Sequence, residues 1–89
     1  MSRYHLDISI RSIKRGEDEE KVHTNEETCN GIGELFETMD YYGSLIEGAN
    51  DEGLLAEGQM TVTNEETGEE SVYYVNQLGH IELLEGVEL

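Results

Sequence analysis

Past Lys21 the chain contains no lysine or arginine, yet residues 22–89 carry sixteen acidic side chains. Carboxylates without interspersed bases cannot be neutralised by local ion pairs. Whatever this segment folds into therefore presents an unbroken negative field or faces a cationic partner. All five bases (Arg3, Arg11, Lys14, Arg15, Lys21) lie in the first 21 positions, where Asp7, Glu17, Asp18, Glu19 and Glu20 balance them to zero. The net charge of −16 belongs to the remainder. High charge is also a mark of disorder, but 36% apolar residues and five tyrosines give this chain the material for a core. With 89 residues it has room for one such core and not for two, which predicts a single domain over residues 1–89.

The apolar periods indicate how that core is built. Leu6, Ile8 and Ile10 alternate with polar neighbours, so residues 4–13 are expected to form a strand with one face inward. Arg15-Gly16 and the acids after it suggest a hairpin loop, with a short return strand near 21–24. From about residue 30 to 47 the period becomes helical. Ile32, Leu35, Phe36, Met39, Tyr42 and Ile46 follow three- and four-residue steps and form one apolar stripe. Thr24-Asn25-Glu26-Glu27 fits a capping box, while Asn30 offers a later N-cap, and Gly48, Asn50 and Gly53 supply the stop. Met60 and Val62, then Val72 to Val75, read as a hairpin closed through Asn64–Gly68, and Ile81, Leu83, Val87 and Leu89 read as a final strand. The expected fold is α+β: one amphipathic helix packed on a mainly antiparallel sheet of about four to five strands. Thr-Asn-Glu-Glu-Thr occurs at 24–28 and again at 63–67, but the flanking residues differ, so it reads as local turn and cap chemistry rather than a repeat.

Composition sets aside several functions. No apolar run reaches the roughly 18 residues of a membrane span, and the first ten residues lack the apolar stretch of a secretion signal, so a cytoplasmic protein is expected. The single Cys29 cannot form an internal disulfide, and His5, His23 and His80 show no paired metal-ligand spacing. Asn50-Asp51-Glu52-Gly53 is rich in oxygen but lacks the alternating acids and closing Glu of a calcium loop. Cys29 has acids around it in sequence that oppose a thiolate, and no histidine pairs with a nucleophile in a readable motif. No catalytic, cofactor or metal residue is therefore expected, nor an enzyme. Direct binding to nucleic acid or to an anionic membrane is disfavoured by the same charge.

The candidate binding residues are acidic. Glu34, Glu37 and Asp40, with Tyr41, fall opposite the apolar stripe of the helix. Residues three apart on a helix advance by about 4.5 Å along its axis, of the same order as the roughly 3.4 Å phosphate rise of a DNA strand. Glu65, Glu66, Glu69 and Glu70 form a second group in the hairpin turn. The plain alternative for the helix is a solvated face. Ordinary solvated helices, however, interleave Lys with Glu for stabilising pairs, and this one has none. Each of Tyr41-Tyr42 and Tyr73-Tyr74 can place one ring inward and one outward, and an outward tyrosine can either anchor an interface or lie over neighbouring aliphatic surface.

In this charge pattern the chain resembles the phage-encoded acidic DNA mimics, the anti-CRISPR and anti-restriction inhibitors. The resemblance covers residues 22–89 and no motif. It implies a non-enzymatic inhibitor whose carboxylates take the place of phosphates on the cationic nucleic-acid-binding surface of a host defence nuclease complex. The alternative is a small acidic adaptor that binds a protein partner without mimicry. Neither reading specifies an oligomeric state.

Overall fold

The computed structural model describes residues 2–89. Strands β1 (Arg3–Lys14) and β2 (Glu20–Asn30) form a long hairpin, followed by helix α1 (Ile32–Asp51), and then β3 (Leu54–Asn64), β4 (Glu70–Val75) and β5 (Ile81–Glu85). All neighbours pair antiparallel in one five-stranded sheet ordered β2-β1-β3-β4-β5. The α+β architecture expected from the periods is the one observed, with a single helix on one face of the sheet. Helix α1 leaves β2 at one edge and crosses β1, so that β3 pairs with the far side of β1. The crossing places β1 between β2 and β3, with β3 the central strand of the sheet.

The core lies between α1 and the inward rows of the sheet. Leu6 and Ile8 of β1, Ala56, Met60 and Val62 of β3, and Tyr73 and Val75 of β4 are buried against Leu35, Met39, Tyr42 and Ile46 of the helix. The sheet rows follow the period of two read from the sequence. The helix stripe differs at its edge: Ile32 is 42% exposed and Phe36 is 43% exposed, whereas Gly43 is buried. A close approach buries Gly43. Gly43 packs back to back with Gly79 of the β4–β5 loop, and a Cβ on Gly43 would come within 2.8 Å of the Gly79 carbonyl oxygen. Gly43 and Phe36, seven residues apart, lie on the same edge of the buried arc; the glycine meets the β4–β5 loop, and the Phe36 ring stays half-exposed.

Several boundaries move. The return strand is not a short segment at 21–24 but all of β2, in register with β1 from Ile13↔Glu20 to Arg3↔Asn30. Thr24–Glu27 is therefore strand and not a capping box. The N-cap is Gly31, without a side-chain cap, rather than Asn30. The helix continues past Gly48 to Asp51, because Asn50 is not a breaker here. Its amide donates to the carbonyls of Ile46 and Ala56 at 2.8 and 2.9 Å and accepts from the Ala56 N–H at 3.0 Å, joining the helix end to the start of β3. The last strand stops at Glu85, so Val87 and Leu89 lie beyond it. Ser71 Oγ holds the tail by donating to the Val87 carbonyl at 2.8 Å. The molecule measures 46 × 19 × 19 Å, its long axis set by β1, β2 and α1.

Candidate functional site

Fourteen of the sixteen acids in residues 22–89 are exposed, and the other two, Glu27 and Glu57, are half-buried. The helix contributes the first predicted group. Glu34, Glu37, Asp40 and Tyr41 are all exposed, on the side of α1 opposite its buried residues. Tyr41 is 59% exposed and stands edge-on to Tyr42, with ring centroids 5.3 Å apart at 71°. Tyr42 itself is buried and accepts a hydrogen bond from the Asn25 side-chain amide at 2.7 Å. Its burial, with the nearby Glu27 carboxylate, pushes the Tyr42 phenol above its ordinary pKa. The expected division of each tyrosine pair into an inward and an outward ring holds, since Tyr73 is in the core and Tyr74 on the other face of the sheet.

The second predicted group sits in the β3–β4 turn, and all four of its carboxylates are exposed. Asn64 shapes the turn: its side-chain oxygen accepts the Glu66 N–H at 2.9 Å, and its carbonyl accepts the Gly68 N–H at 2.7 Å. The Glu65 N–H donates to the Arg3 carbonyl at 2.9 Å, and the Glu65 carboxylate pairs with the Arg3 guanidinium at 3.3 Å. Arg3 opposes Asn30, and Tyr4 opposes Asn64. The turn and the first turn of α1, which holds Glu34, therefore share one end of the sheet. Glu37 and Asp40 continue from that end along the helix, so the two predicted groups form a corner rather than one flat patch.

The face of the sheet away from α1 is a feature that no apolar period or motif marks. No helix covers it, and it forms an open trough of about 870 Å³ lined by Asp7, Ser9, Arg11, Thr24, Glu26, Glu57, Gln59, Thr61 and Tyr74, among others. The signal was the polar half of each strand's alternation, which is as regular as the apolar half. Within it the Tyr74 hydroxyl donates to Glu57 at 2.8 Å, which raises the Tyr74 pKa. Arg11 donates to Glu20 at 3.0 Å and is held more firmly protonated by it. The residues that could hold a cation lie on this face, Asp7 and Glu26 in the lining of the trough and His5 next to them. His5 Nε2 lies 3.4 Å from Asp7 Oδ1 and 3.6 Å from Glu26 Oε1, and the three ligand atoms all fall within 4.8 Å of one another. Separate sequence segments hid this group, which the β1–β2 register assembles.

Cys29 is buried and its thiol donates to Thr38 Oγ1 at 3.6 Å, packed under the helix rather than facing solvent. Among the described residues no helix is long and apolar enough to cross a membrane. What the arrangement offers chemically is a fixed display of exposed carboxylates with a tyrosine among them, and a polar trough on the opposite face. Comparison with known protein families, with curated proteins and with solved structures finds no match, so the function is argued from these surfaces alone.

Proposed function

We propose that this protein is a non-enzymatic inhibitor that docks on a cationic nucleic-acid-binding surface, with its carboxylates standing where phosphates would. The single observation that carries the reading is the exposed row Glu34, Glu37, Asp40 beside Tyr41, on a helix that contains no Lys or Arg. A groove that binds nucleic acid must be lined with Lys and Arg. A body of charge −16 is steered to it by the same field that attracts DNA. Charge alone gives encounter rather than tight binding, which needs buried anchors. Tyr41 and the exposed Leu45, one turn further on, supply such anchors beside the acids. The β3–β4 turn extends the negative surface round the corner. By its resemblance to phage-encoded mimics, the partner would be a CRISPR effector or a restriction enzyme.

The exposed Ile32 and Phe36 on the flank of α1 favour a second reading, an acidic adaptor that binds a protein through apolar contact. One experiment separates the two. The immobilised chain is offered purified defence nucleases and a lysate, then eluted with graded salt and with duplex DNA. Under mimicry the captured protein binds DNA, is displaced by it, and is lost when Glu34, Glu37 and Asp40 are together changed to Lys. Reversal of Glu17, Asp18 and Glu19 has less effect, because Lys14, Arg15 and Lys21 share that hairpin end. A partner indifferent to DNA, to salt and to the helix reversal, but released by Phe36→Ala, establishes the adaptor instead.

A further inference from the structure

The uncovered face of the sheet brings together three ligand atoms that the sequence keeps apart. His5 and Asp7 are two residues apart on β1 and so project from the same face. Glu26 pairs directly with Asp7 across the β1–β2 ladder and projects from that face as well. The gaps of 3.4 and 3.6 Å from His5 Nε2 to the two carboxylates exceed the roughly 2.7–3.2 Å of an N–H···O hydrogen bond. The three groups therefore converge at ion-pair distance, not at that of a close hydrogen bond. The two gaps from His5 fit a shared cation, since bonds of about 2.1 Å at tetrahedral angles place neighbouring ligand atoms about 3.4 Å apart, and the two carboxylate oxygens lie within 4.8 Å of each other.

We propose that His5 Nε2, Asp7 Oδ1 and Glu26 Oε1 form a zinc site, with its fourth position open to the trough for water or an exchangeable anionic ligand. The donor set distinguishes this group from the many acids elsewhere on the surface, because an imidazole nitrogen suits Zn²⁺, whereas Mg²⁺ and Ca²⁺ are served by oxygen alone. Two carboxylates balance the dication, and no arginine competes for them. Arg3 is paired with Glu65, and Arg11 with Glu20. The ladder of β1 and β2 fixes the donors on two adjacent strands, so little reorganisation is needed on binding. The site is on the opposite side of the sheet from Glu34, Glu37 and Asp40, and stands whether or not those residues bind a cationic partner.

The test is titration of ZnCl₂ into the purified chain at physiological ionic strength, followed by calorimetry and by NMR of the histidine ring nitrogens. One equivalent is expected, with a shift of His5 Nε2 and none at His23 or His80. His5→Gln and Glu26→Gln should each weaken binding about tenfold or more, while the triple change Glu34→Gln, Glu37→Gln, Asp40→Gln leaves it in place. Glu26 has an exposed side chain, so Glu26→Gln reports on the site even if the His5 variant folds poorly. Several weak equivalents that ignore both site variants and fall with the triple change would show cations merely condensed on the acidic surface. That result, or no saturable binding at all, overturns the proposal.

Discussion

Leu35 and Phe36 are neighbours in sequence with opposite environments, 0% and 43% exposed. Leu35→Ala opens a cavity between α1 and the sheet and should cost about 2–5 kcal/mol. Phe36→Ala removes a half-solvated ring and should cost about 1 kcal/mol or less. Urea denaturation of the two variants checks the pair. The sequence showed that a stripe exists but not how wide it is, because a helical period fixes direction while the width depends on how many strands lie beneath. Tyrosine ionisation supplies a second test. Burial raises the Tyr42 pKa and the Glu57 hydrogen bond raises that of Tyr74, so near pH 10 the folded chain holds protons that the unfolded chain has begun to lose. The native state then binds more protons than the unfolded state, and stability should be full below pH 10 and fall as pH rises through the folded values. Denaturation midpoints measured across this range should decline, and less steeply in Tyr42→Phe. The trough residues were legible only in retrospect, because polar strand positions are expected to face water and carry no mark when several of them converge.

Helix α1 has Glu34 in its first turn, where the helix dipole favours an acid, but no base in its last turn. Asp51 there faces the negative end of the dipole. Asp51→Lys should therefore stabilise the fold by about 0.3–1 kcal/mol beyond the gain from the same charge change at Glu37, in mid-helix, with thermal melts of the two variants giving the difference. The pentapeptide Thr-Asn-Glu-Glu-Thr shows what no local reading could supply. At 63–67 it ends β3 and enters a turn, since Gly68 follows with φ 77 and the Asn64 side chain accepts the N–H of Glu66. At 24–28 the same five residues are strand, each paired across β1 from Ser9 to His5. The second copy has its turn residue next door, while the first has a partner strand. Strands β1, β3 and β4 carry their own apolar alternation and were readable, but β2 is an edge strand, exposed along nearly all its length, and is held by pairing rather than by pattern.

A charge of −16 on a body 46 Å long and 19 Å across places like charges well within a low-salt Debye length of about 30 Å. Raising the salt from about 0.01 M to about 0.5 M should screen that repulsion and lift the melting temperature by about 5 °C or more, the equivalent of about 1 kcal/mol in a domain of this size. A neutral osmolyte at matched osmolality separates screening from exclusion effects. The seam between β1 and β3 carries a consequence for the order of assembly. Hairpin β1–β2 and the meander β3–β4–β5 each join residues near in sequence, whereas β1 meets β3 through pairs 40 residues apart at Lys14↔Leu54 and 60 apart at Tyr4↔Asn64. Chain closure over such distances is slow, and local hairpins form first. The two hairpin units are therefore expected to form before the β1–β3 ladder, which should close first at the Lys14 end, where the enclosed loop is shortest. Formation of the β1–β3 ladder is the step expected to limit the folding rate.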